Sequence, residues 1–253
     1  MKPPIQDLIA DLPETIIHHI QHLERMRQDF VANVSHELRT PLTVIHGYLE
    51  TLIHQDLDET KYLRKIFLQM HQQTLRMENL IEDLLLLSRL ESEEEDDDTE
   101  KSIVNVPKLL KAICKEANTF SGEQKHSIQL KVEPKLFIEG NAFELRSLFS
   151  NIIFNAVKYT PAGGNILIRW FNKNNSVYFS VKDTGIGIAA KHIPRLTERF
   201  YRVDPGRSRR SGGTGLGLAI AKHVLLRHQA KLDVESKVGV GSVFTCIFRQ
   251  PSK

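Results

Sequence analysis

Ser92-Glu93-Glu94-Glu95-Asp96-Asp97-Asp98-Thr99 is the stretch that divides this sequence into two parts of different character. Consecutive carboxylates repel one another and cannot pack together, so we interpret the run as a solvated linker. The residues before it have helical periodicity throughout, and those after it alternate between strand and helix patterns. The sequence therefore predicts an α+β protein with a helical part, an acidic linker at 93–102 and a mixed domain at 103–250.

The composition fits ordinary globular domains. The chain has 253 residues, 34 Lys+Arg against 31 Asp+Glu, and 41% hydrophobic residues. At roughly 150 residues per domain, this length gives one large domain or two small ones with packed cores. Cys114 and Cys246 lie far apart and form no CxxC motif, which excludes a disulfide framework and favours a reducing cytosol. No run approaches the ~20 apolar residues of a membrane span, and the first residues begin no apolar signal segment.

Two long helices are predicted before the acidic run. From Ile16 to Leu52, apolar residues recur mostly at three- and four-residue steps. Asp58 is a suitable N-cap for a second helix that follows a turn at 55–58. The apolar residues of this second helix form two rows: Leu63, Met70, Met77 and Leu84 in one, and Ile66, Leu80 and Leu87 in the other. We expect a lead-in helix at 1–25 and a helical hairpin at 26–92.

A single hairpin with two apolar rows leaves one of them exposed. Pairing two hairpins into a four-helix bundle would bury that row, so we expect a homodimer through residues 14–91. The alternative is that the second row packs on the C-terminal domain of the same chain.

After the linker, the patterns predict a mixed sheet with helices on one face. Helices are expected from Pro107 to about Phe120, from a cap at Asn141 to near Tyr159, and from about Leu216 to 227. Strands are expected at 127–133, 165–171, 177–183, 231–236 and 242–248, with a hairpin turn at 173–175.

Ser35-His36-Glu37-Leu38-Arg39-Thr40-Pro41-Leu42 lies in the first long helix. The neighbours of His36 at helical spacing are mostly polar and the apolar row lies on another face, so we expect the imidazole to face solvent. Pro41 should bend the helix one turn beyond His36, and a proline there costs about 3 kcal/mol. Glu37 can take a ring proton or hold it, which makes the other ring nitrogen a better nucleophile. An incidental surface histidine is the alternative.

Asn151, Asn155 and Lys158 fall at four- and three-residue steps in the helix that Asn141 caps. One face of that helix therefore presents two amides and an ammonium group. Amide oxygens suit Mg²⁺ that is shared with phosphates, and the ammonium group would meet the phosphate charge. A solvated helix face without a ligand is the alternative.

Two glycine-rich stretches follow. Asp183-Thr184-Gly185-Ile186-Gly187 ends a strand, where the carboxylate can accept a hydrogen bond from an amine such as adenine N6. A simple turn is the alternative. Gly212-Gly213-Thr214-Gly215-Leu216-Gly217-Leu218 leads into a helix, whose N-terminal amides favour an anion. This second stretch is not a P-loop, because the GxxxxGK[ST] pattern is absent.

In their order and spacing, these motifs resemble those of the bacterial sensor histidine kinases. The matching segments are the phosphoacceptor box around His36, the asparagine box at 151–159, the first glycine box at 183–187, an aromatic box at 200–202 and the second glycine box at 213–217. The resemblance covers 26–248. It implies a dimeric helical hairpin for dimerisation and histidine phosphotransfer, followed by an α/β sandwich ATP-binding domain of the histidine kinase and Hsp90-like ATPase type. Val203 departs from the family pattern, because many relatives have a second phenylalanine there, and this puts the packing of the basic loop 195–210 in doubt.

The resemblance implies that Mg²⁺-ATP binds the C-terminal domain and that its γ-phosphoryl group passes to His36, then to an aspartate of a response regulator. By the same resemblance, Asn155 ligates Mg²⁺, Asn151 supports the phosphates or the metal, and Asp183 binds the adenine amine. The other nucleotide-binding residues expected are Lys158, Tyr159, Gly185, Gly187, Arg202, Gly213, Thr214, Gly215, Leu216, Gly217 and Leu218. Glu37 and Thr40 match the motif with which the family positions water to dephosphorylate the regulator.

Within the family, three segments most resemble the phosphate-regulon sensor kinases. They are residues 29–36, 193–198 and 198–204. This finer resemblance implies phosphate sensing. We expect a cytoplasmic portion of a protein anchored in the bacterial inner membrane by a segment outside this chain, and the sequence identifies neither the stimulus nor the regulator.

Two other functions are compatible with parts of the sequence. The basic stretch 195–210 could bind nucleic acid, but it has no interleaved aromatic residues beyond Phe200 and Tyr201, and a triphosphate accounts for its charge more simply. A dimeric ATP-binding scaffold without catalytic activity would have the same fold, although every expected motif residue is present.

Overall fold

The computed structural model describes residues 14–54, 60–91, 101–204 and 213–249. The start of the lead-in helix, the turn at 55–58, the acidic run and the arginines after 204 lie outside the described residues. The chain divides into two compact units with the boundary between Asn79 and Leu80. The domain limits expected from the sequence remain a prediction.

Two antiparallel helices form the described part of the first unit. Helix α1 is Glu14–His54 and α2 is Thr60–Glu91, so the boundary between the units falls inside α2. The Tyr48 hydroxyl donates to Gln69, and Arg76 donates to Glu37 at 3.3 Å. Because residues earlier in α1 pair with residues later in α2, the two helices run in opposite directions. The predicted hairpin is confirmed.

Pro41 is buried inside α1, and the helix continues through it. Its ring has no N–H to donate to the carbonyl of Glu37. The hydroxyls of Thr40 and Thr43 donate to backbone carbonyls one turn earlier, at 3.1 and 2.9 Å. The helix is therefore unbroken around the histidine motif, and the expected bend remains a prediction.

One of the two apolar rows of α2 is buried within the single chain. Ile66, Leu80 and Leu87 are 2%, 2% and 1% exposed. The members of the other row, Leu63, Met70, Met77 and Leu84, are only partly buried. A single copy of the chain thus leaves one row partly open.

The second unit contains a domain with a five-stranded mixed sheet. Its elements are β1 Ser102–Val104, α3 Val106–Ser121, β2 Ser127–Val132, β3 Ile138–Gly140, α4 Ala142–Tyr159, β4 Asn165–Lys173, β5 Ser176–Asp183, α5 Gly217–Arg227, β6 Lys231–Lys237 and β7 Gly241–Arg249. The main sheet has the order β2-β4-β5-β7-β6, with β2 parallel to β4 and the other pairs antiparallel. Short β1 and β3 pair separately. The predicted mixed sheet is confirmed, whereas β1 and β3 were not predicted because three residues are too few to show a period.

Local sequence signals set several boundaries in this domain. Asn105 and Asn141 each accept backbone N–H groups from the first turn of the helix that follows, α3 and α4. Asn174 and Asn175, between β4 and β5, both have positive φ, 50° and 56°. Asparagine tolerates this conformation, which two-residue hairpin turns require. The predicted cap at Asn141 and the predicted turn are therefore confirmed.

Helix α4 packs on the sheet through aromatic contacts. The ring of Phe149 lies 5.9, 4.5 and 6.3 Å, between centroids, from those of Trp170, Phe179 and Phe248 on β4, β5 and β7. Helices α3 and α5 pack beside α4. This core fixes α4, the helix that carries the asparagine box.

Candidate active site

Three polar side chains of α4 remain partly exposed. They are Asn151, Asn155 and Lys158. The amide nitrogen of Asn151 lies 3.4 Å from the Ser147 hydroxyl, to which it donates. In the part of the chain that the structure describes, the Asn155 carboxamide has no hydrogen-bond partner, yet it is not fully buried. An unpaired amide oxygen at this position fits a ligand for a hard cation.

The second glycine box lies directly on this face of α4. A β-carbon at Gly217 would overlap the amide oxygen of Asn151, and one at Gly213 would overlap the ammonium group of Lys158. Gly215 has a φ of +77°, which favours glycine. The box leads into α5, whose first amides have no intrahelical acceptor and whose N-cap residue, Leu216, provides no side-chain cap. The arrangement places an anion-binding helix terminus next to an ammonium group.

The aromatic box holds the second glycine box from the other side. The Phe200 N–H donates to the carbonyl of Gly215 at 2.9 Å. The Arg202 guanidinium donates to the carbonyl of Gly213. These bonds connect residues 200–202 with residues 213–215, and they position Arg202 beside the glycine box.

Asp183 is buried at the end of β5, with 6% of its surface exposed. Its Oδ1 accepts the N–H groups of Gly185 and Ser242 at 2.7 and 3.2 Å. Oδ2 has no partner within the described ranges, so it is available to an amine. Burial raises the pKa of the Asp183 carboxyl above its usual value, and the two backbone hydrogen bonds oppose that shift. Ser242 was missed by sequence reasoning, because a backbone donor leaves no signal in the residue type.

The first glycine box is joined to the end of α4. Ile186 donates its N–H to the carbonyl of Tyr159 at 3.1 Å, and a β-carbon at Gly185 would lie 2.7 Å from the same carbonyl oxygen. Gly187 has a φ of +68°, and a β-carbon there would overlap the Lys237 carbonyl. Both glycine boxes and Arg202 therefore lie around the asparagine box of α4, within one unit.

His36 belongs to the other unit and is exposed on α1, as the sequence predicted. It borders a shallow cavity of about 300 Å³, lined by His36, Arg39, Thr40, Thr43 and Val44. The Thr40 hydroxyl donates to the backbone carbonyl of His36 at 3.1 Å. The imidazole is thus open to a reaction partner.

Glu37 turns toward α2. Its Oε2 lies 3.3 Å from Nη2 of Arg76, and the two side chains are 21% and 18% exposed. This half-buried ion pair fixes the carboxylate that follows His36 in the sequence. Arg76 was not found from the sequence because it lies 39 residues away in no motif. The register of the hairpin is the signal that could have identified it.

The described residues contain neither a metal cluster nor a membrane span. No group of three or more His, Cys, Asp or Glu side chains in those ranges is arranged to hold a metal ion. None of the described helices combines the length and the apolar character needed to cross a membrane.

The fold and the site define the class of protein. Residues 26–93 match the family model described as His Kinase A (phospho-acceptor) domain. Residues 140–252 match the model described as Histidine kinase-, DNA gyrase B-, and HSP90-like ATPase. Together these matches make up most of the chain and contain every motif residue singled out above. The chain belongs to the sensor histidine kinase family.

The comparisons also narrow the subfamily. The chain is similar to the phosphate regulon sensor protein PhoR of Pseudomonas aeruginosa, with 53% identity over 92% of this chain and 52% of that protein. The resemblance to phosphate-regulon sensor kinases is thereby confirmed. The chain spans about half the length of the curated relatives it matches first.

Two solved structures share the architecture. Histidine kinase ThkA in complex with the response regulator protein TrrA has a TM-score of 0.69 at 20% identity, over 94% of this chain and 67% of that one. At that identity it shows the fold alone. Full-length ShkA in complex with AMPPNP has a TM-score of 0.63 at 26% identity, over 87% of this chain and 45% of that one.

Proposed function

We propose that this chain is the catalytic portion of a protein-histidine kinase that transfers the γ-phosphoryl group of ATP to His36. From His36 the phosphoryl group passes to an aspartate of a response regulator. One observation carries the proposal: the second glycine box lies against Asn151 and Lys158, which combines an anion-binding helix terminus with the amides and the ammonium group of α4.

The nucleotide would be held at both ends. Asp183 offers a carboxylate oxygen to the adenine amine, and its other oxygen is fixed by two backbone donors. Lys158, Arg202 and the first amides of α5 would meet the triphosphate, and Tyr159 would flank the nucleotide. The match to an ATPase family model and the AMPPNP complex of ShkA support ATP as the ligand.

Mg²⁺ fits the donor set of the site. Asn155 offers an unpaired amide oxygen, and Asn151 lies where it can support the phosphates or the metal. When bound, Mg²⁺ supplies charge neutralisation on the phosphates. A metal held chiefly by phosphates and water needs few protein ligands.

His36 would supply the nucleophile. A ring nitrogen attacks the γ-phosphorus, the bond from that phosphorus to the ADP oxygen breaks, and the ring proton passes to Glu37 or to water. Phosphoryl transfer needs chiefly positioning and charge neutralisation, so an exposed imidazole with a fixed neighbouring carboxylate is sufficient on this side. Glu37 and Thr40 would also serve a phosphatase activity toward the regulator.

Partners and location are part of the same proposal. The partly exposed apolar row of α2 supports a homodimer through the helical hairpin. The ThkA structure contains a response regulator protein, which supports a receiver domain as the second partner. Similarity to PhoR supports phosphate sensing by the whole protein. A cytoplasmic portion with a membrane anchor outside this chain remains our expectation.

The described arginines give nucleic-acid binding no support. Arg195 pairs with Glu198 at 2.9 Å, and its guanidinium lies 4.3 Å from the ring centroid of Tyr201. Arg199 pairs with Glu91. Carboxylates of the chain therefore hold Arg195 and Arg199, which leaves neither arranged for the phosphate backbone of a nucleic acid.

Incubation with γ-³²P-labelled ATP and Mg²⁺ tests the proposal. The wild-type chain should acquire an acid-labile label, and the His36→Gln variant should acquire none. His46→Gln is the matched control, because His46 is an exposed histidine on the same helix. Persistent labelling of His36→Gln would refute the nucleophile, and an unlabelled wild type that still binds ATP would indicate the inactive scaffold.

A further inference from the structure

The last turns of α2 present one face to the nucleotide-binding domain. These turns belong to the second unit. Asp83, Leu87, Leu90 and Glu91 recur at helical spacing and so share a face. Leu87 and Leu90 are 1% and 6% exposed, and the two carboxylates lie at the ends of this apolar pair. Both carboxylates bond residues next to the candidate site.

The first bond reaches the second glycine box. The Thr214 hydroxyl donates to Oδ2 of Asp83 at 2.9 Å and accepts the N–H of Leu216 at 3.2 Å. A hydroxyl has one proton to donate. While that proton is held by Asp83, Thr214 cannot donate to a phosphate.

The second bond reaches the segment that packs on the glycine box. Glu91 accepts from Arg199, which directly precedes Phe200 of the aromatic box. The same Glu91 oxygen lies 3.2 Å from Nε2 of His223 on α5. One helix face therefore contacts the glycine box, the residue before the aromatic box and α5.

The position of Asp83 is one that an anion favours. Its carboxylate accepts from Thr214, whose hydroxyl accepts the N–H of Leu216, the N-cap residue of α5, and amides at such a helix start attract negative charge. Burial raises the pKa of the Asp83 carboxyl, and the Thr214 hydrogen bond opposes that shift. Burial therefore penalises the charged form of this carboxyl at its position beside Thr214.

We propose that Asp83 is a built-in competitor for the phosphates of the nucleotide. Asp83 holds the Thr214 hydroxyl when the site is free of nucleotide, and ATP must displace it in order to use that hydroxyl and the start of α5. The inference rests on the proposed function for the identity of the site. By this inference, Asp83 lowers the affinity for a nucleotide whose phosphates contact Thr214, and it does not affect a ligand without phosphates.

Nucleotide affinity in Asp83 variants tests this competition. ATP and adenosine would be titrated by calorimetry and by competition into whole chains that carry His36→Gln, which prevents turnover. Asp83→Asn keeps the shape of the side chain and removes its charge, and Asp83→Ala removes the acceptor. Glu82→Gln is the matched control, because it removes an exposed charge one residue away.

If the form in which Asp83 holds Thr214 makes up about nine-tenths of the molecules, releasing that hydroxyl raises the apparent ATP affinity about tenfold. We expect that gain in Asp83→Ala and a gain in the same direction in Asp83→Asn. Adenosine affinity should stay the same, and Glu82→Gln should match the parent chain for both ligands. Circular dichroism melting would verify that each variant is folded.

Three results would overturn the competition. They are an unchanged ATP affinity in folded Asp83 variants, a weakened ATP affinity, and an equal gain for ATP and adenosine. The proposed function would survive all three. Absence of nucleotide binding in every folded chain, including the parent, would instead remove the proposed function itself.

Discussion

The region around α4 and the region around His36 differ in how tightly their residues are fixed. At α4, the motifs meet so closely that a β-carbon at glycine 213 or 217 would displace the side chain of Lys158 or Asn151. At His36, the imidazole is exposed, and a β-carbon at Gly47, further along the same helix, would meet nothing within 4 Å. A nucleotide has to be recognised in one pose, whereas a phosphoacceptor has to reach both a donor and a receiver. The first task demands fixed contacts and the second demands access.

The largest effect should follow from loss of the Asn155 amide. We expect Asn155→Ala to weaken Mg²⁺-dependent ATP binding about 100-fold, because the amide oxygen that would ligate Mg²⁺ is removed. Isothermal titration with and without Mg²⁺ measures this effect. Asn172→Ala, at an exposed position near the end of β4, is the control. Undiminished Mg²⁺-ATP binding in Asn155→Ala would exclude the metal-binding role.

The Asp183→Asn variant should change ATP affinity and the stability of the fold in opposite directions. The two backbone donors would keep the asparagine oxygen, so its NH₂ group would face the adenine amine as donor against donor. Loss of a charged hydrogen bond of about 1.5–3 kcal/mol should weaken ATP binding about 10- to 100-fold. Calorimetric titration of ATP measures the change, and wild-type affinity in the variant would contradict the adenine contact.

The same variant should be more stable than wild type without nucleotide. Burial raises the folded-state pKa of Asp183, so the protonated carboxyl contributes to the free energy of unfolding. This contribution is fully present below the unfolded-state pKa and is lost as pH rises through the folded-state pKa. At pH 7.5 the charged side chain therefore costs stability, and Asp183→Asn should add about 1 kcal/mol to the free energy of unfolding. Urea denaturation at pH 7.5 measures it, and a less stable variant would contradict the sign.

Gly217→Ala should impair function with little effect on stability. Its β-carbon would force the flexible Asn151 side chain to turn away, while alanine suits the first position of α5. We expect about tenfold weaker ATP binding, the scale of a small displacement within a site. Gly47→Ala, in open space on α1, should leave ATP affinity unchanged. Equal affinities in the two variants would show that the two regions do not differ as described.

The smallest expected effect is a loss of stability at low pH, caused by protonation of His228, which joins the end of α5 to the start of α4. Buried His228 accepts the Asn141 N–H at Nε2, 3.2 Å away, and donates from Nδ1 to the carbonyl of Val224 at 2.8 Å. Burial is the main cause that lowers the pKa of His228, so the stability that its neutral form contributes is full above pH ~6.5 and is lost as pH falls through the lowered folded-state pKa.

Urea denaturation of the wild type at pH 7.5 and at lower pH should show this loss, about 1 kcal/mol in size. His228→Gln should reduce the pH dependence, and His71→Gln, at an exposed position on α2, should leave it intact. An identical pH dependence in His228→Gln and wild type would contradict the assignment.

Local signals made most of the fold predictable. Three of these signals are the Asn141 cap, the asparagine turn between β4 and β5, and the apolar rows of α2. Each depends on residues a few positions apart, so the local sequence is enough to predict it. The motif residues of the nucleotide site were likewise found from the sequence, because steps of three and four residues place side chains on one helix face.

Contacts over long separations were not predictable in the same way. Arg76 meets Glu37, Asp83 meets Thr214, and Ser242 donates to Asp183 through its backbone. Each depends on the register in which two elements pack, and no short-range pattern reports that register. The short strands β1 and β3 escaped detection for a related reason, since a pair of three-residue strands exists only through its pairing.

The most direct test of the account is to locate the phosphoryl group after reaction with Mg²⁺-ATP. Tandem mass spectrometry at neutral or alkaline pH, where phosphohistidine survives, would assign the modified residue among the 11 histidines and all hydroxyl side chains of the chain. The account predicts a phosphoryl group on His36 alone. A phosphoryl group on any other residue, or none on a chain that binds Mg²⁺-ATP, would contradict it.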